Sequence, residues 1–274
     1  MLCWEKRLSK AYTQGKLIRR MVKKHMTRPI EQRPDGDWVR LQSGLKKSQA
    51  ARLLPQVDRR LLRCYGDRAW DPQFSELLDG LVHTILSQNT SDINSHRAFR
   101  LLKEEFPTWK DAAGAQTEEI EKAIRSGGIS RVKAERIKLV LERVNRDCGA
   151  YSLDCLRDME TEQAMQYLLD MPGVGRKTAA VLLLFQMGQP YFPVDTHIFR
   201  VGKRLGIIPV KASPERAHDV MDILVPDDIK FRLHINLIAH GRQVCKARKP
   251  NCPDCCLNDI CPRIGVKEEG NGDA

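Results

Sequence analysis

The residues with the plainest chemical potential are cysteines. Cys245, Cys252, Cys255 and Cys261 are separated by six, two and five residues. Four thiols in one short stretch make a metal site the first reading. Tetrahedral zinc takes four cysteines, and so does an iron–sulfur cube. Zinc sites commonly pair two Cys-x-x-Cys knuckles, and only one short pair occurs here. The spacing leans to iron–sulfur and leaves zinc open. Cys256, beside Cys255, is a fifth candidate that spacing cannot exclude. Between the first two ligands lie Lys246, Arg248 and Lys249, and a clamped loop would present these three cations to phosphates. The chain has nine cysteines; in an intracellular setting they are not read as structural disulfides, because thiols there stay reduced.

A second constellation is Met171-Pro172-Gly173-Val174-Gly175-Arg176-Lys177-Thr178. An apolar helical pattern through Met165, Leu168 and Leu169 reaches Asp170, the turn follows, and an Ala- and Leu-rich helix begins. Two glycines one residue apart allow a tight turn and let bare backbone N–H groups meet a ligand. Those amides lie where unpaired donors and the positive end of the helix dipole favour phosphate. Gly173, Val174, Gly175, Arg176 and Thr178 are therefore candidate contacts to a DNA backbone. An ordinary turn between helices is the bland alternative. A nucleotide P-loop fits worse, since Arg176 breaks the Gly-Lys-Ser/Thr order and a helix precedes it. Lys177 falls in the first turn of the second helix. The helix N-terminus and Arg176 both disfavour an ammonium, so partial desolvation would lower its pKa and free a nucleophilic amine. The same surroundings suit a lysine that merely contacts phosphate.

Asp195 precedes Thr196, His197 and an apolar helical run. On these residues alone it reads as a helix N-cap, and His197 as a packed or capping histidine that is also counted among the candidate DNA contacts.

These groups need a scaffold, and the pattern supplies helices. From about Gln49 onward, apolar residues recur at helical spacing. Leu77, Leu78, Leu81, Val82 and Ile85 form one face. Asp92 is a plausible N-cap for a helix carrying Phe99, Leu101 and Leu102. Ile120, Ala123 and Ile124 form another face, stopped by Gly127 and Gly128. Ala134, Ile137, Val140, Leu141 and Val144 mark a further helix. Strand-like alternation is scarce, so the fold class is all-α. The length, 274 residues, allows one sizeable core or two modest domains.

The formal charge of +11 favours a polyanionic partner, with nucleic acid the commonest. Residues 1–34 hold ten Lys or Arg against Glu5 and Glu31, which places eight of the eleven charges in one tail. Residues 1–45 are expected to be a flexible basic extension that aids non-specific binding; the acid-poor stretch also permits a mitochondrial transit peptide. Residues 266–274 read as a frayed tail. The longest clean apolar stretch, 179–185, falls far short of the roughly 20 residues of a membrane helix. No membrane partner is expected, and the protein is read as soluble and intracellular.

The hairpin with its lysine, the Val194-Asp195-Thr196-His197 segment and the cysteine spacing occur in an order that resembles the endonuclease III family. That family lies within the helix–hairpin–helix DNA glycosylases. The resemblance covers about residues 75–265 and is densest at 168–204 and 240–261. It implies a six-helix barrel domain with the hairpin over 76–189, and an iron–sulfur domain from 46–75 and 190–265, with the active site in the cleft between. It also implies that Lys177 and Asp195 are catalytic, which displaces the cap reading of Asp195. Cys245, Cys252, Cys255 and Cys261 would hold a 4Fe-4S cluster, leaving Cys256 spare.

The implied activity is that of a base-excision glycosylase and apurinic/apyrimidinic lyase acting on oxidised pyrimidines in duplex DNA. The alternatives are a glycosylase for uracil or thymine opposite guanine, or a non-catalytic iron–sulfur DNA-binding protein. Leu86-Ser87-Gln88-Asn89-Thr90-Ser91-Asp92 resembles the stretch that fills the gap left by a flipped base. Aligned directly, Asn89 takes that position; a one-residue shift gives it to Gln88. The partner is double-stranded DNA bearing a damaged base or abasic site, bound by a monomer. The expected location is cytoplasmic and nucleoid-associated in a bacterium or archaeon, and nuclear or mitochondrial in a eukaryote.

Overall fold

A computed structural model describes residues 44–46 and 48–266; most of the basic extension expected at 1–45, and all but the first residue of the tail expected at 266–274, lie outside the described residues. Among the described residues every regular element is helical. The chain divides into two compact units, one running Pro72–Gln189 and the other combining the segment up to Asp71 with Pro190 onward.

The first helix, α1 (Gln49–Tyr65), belongs to the second unit; the first unit holds α2 (Leu77–Ser87), α3 (Asp92–Glu105), α4 (Trp109–Gly114), α5 (Thr117–Ala123), α6 (Ser130–Cys148), α7 (Thr161–Leu169) and α8 (Arg176–Met187). Leu77, Leu78, Leu81, Val82, Ile85 and Leu86 of α2 are all buried. Together they form a broad apolar face that must pack against neighbouring helices, and each such side chain contributes about 1.5–3 kcal/mol on leaving water. Gly80 lets α8 come close, because a Cβ there would stand 2.7 Å from Gln186 Cγ.

Helix ends follow local chemistry. Ser91, rather than Asp92, caps α3 by accepting from Asn94 N, which moves the expected cap by one residue. Thr108 and Asp111 form a capping box at α4. After α5 comes a 3-10 turn, Arg125–Gly127, and Gly128 takes φ +66°.

The second unit adds α9 (Thr196–Arg204), α10 (Pro214–Leu224) and α11 (Lys230–Gln243) to α1. Its core includes Leu54, Val57 and Leu61 from α1, Phe192, Ile198 and Val201, Val220 and Met221, and Leu233 and Leu237. Arg232 binds the buried Asp58 through two nitrogens, fastening α11 to α1. No helix among the described residues is long and apolar enough to cross a membrane.

Candidate functional site

In the first unit, Gly173 adopts φ +76°, a conformation open to glycine and costly for other residues. Val174 N donates to Met171 O at 3.1 Å, closing the turn, and Val174 itself is buried. Gly175 caps α8 without any side-chain hydrogen bond. The first amides of α8 thus lack the intrahelical partners that later amides have. Lys177 is exposed in this first turn and makes no hydrogen bond or ion pair to a described residue. Desolvation of its amine would have to come from a bound partner. Thr178, by contrast, is buried.

Gln88 is the C-cap of α2, and its side chain is committed to the hairpin. Nε2 donates to Gly173 O and to Thr178 Oγ1, each at 3.2 Å. Arg136 Nη1 donates to Gln88 Oε1 at 2.9 Å. The next residue, Asn89, is exposed and left-handed at φ 54°. The two residues that the sequence leaves interchangeable are thus different in kind: one is tied down and the other is presented to solvent.

Lys133 is a buried cation that sequence reasoning misses. Its ammonium donates to Leu86 O at 2.6 Å and Gly127 O at 2.8 Å, and burial lowers its pKa. The helical pattern around Ala134 and Ile137 gives no sign that a lysine faces inward.

In the second unit, Asp195 is the N-cap of α9, with Oδ1 accepting from Ile198 N at 2.7 Å. It is half-buried, and among the described residues Oδ2 has no hydrogen-bond partner. The capping role therefore occupies one oxygen and leaves the other available. His197 packs on Gly241, where a Cβ would stand 2.8 Å from His197 Cβ, and its Nδ1 lies 3.1 Å from Arg200 Nη2.

The opposite end of α9 organises the cysteines. Arg204 donates to Lys246 O at 2.7 Å and Ala247 O at 3.0 Å, and its Nη1 lies 3.2 Å from Cys245 Sγ. Arg200 donates to Cys245 O and Gly241 O. With these carbonyls turned inward, Lys246, Arg248 and Lys249 are exposed. Cys245, Cys252, Cys255 and Cys261 line one cavity walled by Val201, Leu205, Val244 and Leu257. Burial pushes the Cys255 and Cys261 thiols above their usual range, and the neighbouring thiols Cys245 and Cys252 add to the rise. Leu257 N and Arg263 N point at the sulfurs of Cys255 and Cys261, at 3.3 and 3.4 Å. His240 Nε2 lies 3.6 Å from Cys255 Sγ, with Tyr65 Oη 3.0 Å from its other ring nitrogen. Among the described residues no three His, Cys, Asp or Glu side chains meet closely enough to hold a single metal ion.

Residues 82–226 match the family of HhH-GPD superfamily base excision DNA repair proteins. The chain belongs to that superfamily. Endonuclease III of Thermotoga maritima is 33% identical over 181 residues, covering 66% of this chain and 80% of that protein. A candidate DNA glycosylase of Arabidopsis thaliana is 39% identical over 193 residues, which cover 69% of this chain; the chain spans 66% of that protein's length. Among solved structures, a trapped endonuclease III–DNA covalent intermediate superposes with a TM-score of 0.67 at 28% identity, covering 78% of this chain and 96% of that one. A non-covalent endonuclease III–DNA complex gives 0.68 at the same identity. The chain is an endonuclease III-like DNA glycosylase of the HhH-GPD superfamily, and its helical fold is that of the family.

Proposed function

We propose that this glycosylase is bifunctional, excising oxidised pyrimidines from duplex DNA and cutting the resulting abasic strand through a Schiff base on Lys177. The observation that carries the reading is the placement of Lys177: exposed, unpaired among the described residues, and in the first turn of a helix entered through a glycine turn without a side-chain cap. A relative with this fold has been trapped in covalent linkage with DNA.

A base stacked in the duplex is out of reach, so the damaged nucleotide swings out, most cheaply where stacking is already weakened. The hairpin amides hold the backbone phosphate. Lys177 Nζ, once deprotonated, bonds to the sugar's C1′ while the C1′–N bond breaks, and the base departs with that electron pair and a proton. Asp195 stabilises the positive charge that develops on the sugar and assists proton transfer. Opening of the sugar ring gives the Schiff base, which makes the C2′ proton acidic. Its removal expels the 3′ phosphate and cuts the strand 3′ to the lesion, and hydrolysis releases Lys177.

Cys245, Cys252, Cys255 and Cys261 suit a 4Fe-4S cluster. Their sulfurs ring a cavity instead of meeting at a point, and two backbone N–H groups point at sulfurs as they would at thiolate ligands. Such a cluster would clamp the loop structurally, so that Lys246, Arg248 and Lys249 face phosphates without redox chemistry. Spare Cys256 has no part in this set.

The test is a panel of duplexes, each with one lesion: thymine glycol, other oxidised pyrimidines, uracil or thymine opposite guanine, and an abasic site. Cleavage of the oxidised-pyrimidine and abasic duplexes is expected. Base release from the mismatched duplexes alone would overturn the substrate assignment, and release without strand scission would overturn the lyase.

A further inference from the structure

Three side chains far apart in sequence form a relay that ends at the turn preceding Lys177. Arg136, on α6, donates to Gln88 Oε1 at 2.9 Å. Gln88 passes the contact on through Nε2, which is shared between Gly173 O and Thr178 Oγ1. One acceptor lies within the turn and the other in the first turn of α8, so a single amide bridges the two sides of Lys177. The Arg136 side chain also lies over the turn: a Cβ added at Gly173 would stand 2.8 Å from Arg136 Nε. One turn earlier on α6, Lys133 holds Leu86 O and Gly127 O, fixing the backbone from which Gln88 projects. Helix α6 therefore supplies two cations, three residues apart and so on one face, that seat the end of α2 and, through Gln88, the hairpin.

We infer that Gln88 and Arg136 are positioning residues for the reaction, holding the 173–178 segment so that the Lys177 amine meets the sugar at a fixed geometry. This inference rests on the proposed role of Lys177. The physical ground is that loose placement of a reacting group forfeits rate even when the group itself is intact, with displacements near 1 Å costing about a hundredfold. An amide is required at position 88 because it accepts from Arg136 and donates to two acceptors at once. Glutamate could accept from Arg136 but could not donate to the hairpin.

The experiment combines two readouts on the full-length protein and its Gln88→Glu, Gln88→Leu, Arg136→Met and Arg136→Lys variants. Hydrogen exchange by mass spectrometry reads the hairpin directly and requires no catalysis. Faster exchange is expected in the peptide spanning 171–178 for Gln88→Glu, Gln88→Leu and Arg136→Met, with the α1 peptide unchanged. Single-turnover cleavage of an abasic duplex at saturating enzyme reads the consequence. The rate constant should fall at least tenfold in those three variants, and Arg136→Lys, which retains a donor, should recover most of it. Unchanged hairpin exchange in both Gln88 variants would overturn the relay. A loosened hairpin with an unchanged saturating rate would overturn the positioning role. If Arg136→Met does not fold, the Gln88 pair still decides. Failure of the wild-type protein to cleave at all would instead contradict the functional reading, and the exchange measurement would still judge the relay.

Discussion

Arg204 Nη1 lies 3.2 Å from the sulfur of Cys245 while the same guanidinium holds the carbonyls of Lys246 and Ala247. One side chain at the end of α9 thus shapes both the first cysteine position and the start of the basic loop. Arg204→Met should leave these acceptors without their donor; because the two carbonyls are open to water, the cost should be about 0.5–1.5 kcal/mol. Urea unfolding checks the stability, and iron and sulfide analysis over hours in air checks retention of the proposed cluster. A variant that keeps both wild-type stability and wild-type iron would show that the contact is incidental.

Asp195 caps α9, and different substitutions separate that role from the catalytic one proposed for it. Asp195→Asn keeps a side-chain oxygen for Ile198 N and removes the charge; it should be nearly as stable as wild type and severely slowed in base release. Asp195→Ala loses both, adding a cap penalty of about 1 kcal/mol. Thermal melts beside single-turnover assays distinguish them. Equal activity in Asp195→Asn and wild type would remove the carboxylate from the mechanism.

The exposed loop cations should act through phosphates. Replacing Lys246, Arg248 and Lys249 together by alanine should weaken binding to undamaged duplex. The slope of log K against log salt should become shallower by up to about 0.9 for each phosphate no longer neutralised. A slope identical to wild type would place these side chains away from DNA.

The regular elements are legible in the sequence because periodicity is local. The apolar face of Leu77 to Ile85 is spelled within nine residues, and the glycine turn at 173–175 within three. Ser91 is harder to recognise as a cap because Asp92, its neighbour, is an equally good capping residue. Pairings between distant positions leave no such trace. Arg136 and Gln88 are 48 residues apart, and Gln88 and Gly173 85 apart. Lys133 lies buried on a helix whose apolar residues alone mark the inward face. At Asp195 the cap reading is borne out, and because the cap uses one carboxylate oxygen while the other has no partner among the described residues, it leaves room for the proposed catalytic role.

His83 links stability to pH. Burial first, and the neighbouring His96 second, push its pKa down to about 4, and its Nε2 is buried without a hydrogen-bond partner among the described residues. In the unfolded chain it titrates near 6.5. Between those values the unfolded chain holds the extra proton, so unfolding becomes easier as pH falls from about 6.5 to about 4. His83→Phe, in a pocket already lined by the rings of Phe74, Phe99 and His96, should flatten that part of the profile. Urea midpoints across the window measure it, and an unchanged profile would assign the acid sensitivity elsewhere.

The most direct measurement is borohydride trapping on an abasic duplex and on a thymine-glycol duplex. The wild-type protein should form a covalent adduct with each, stable to denaturing electrophoresis, and Lys177→Ala should form none while still binding the DNA. A full yield of adduct from Lys177→Ala would mean that another amine attacks the sugar.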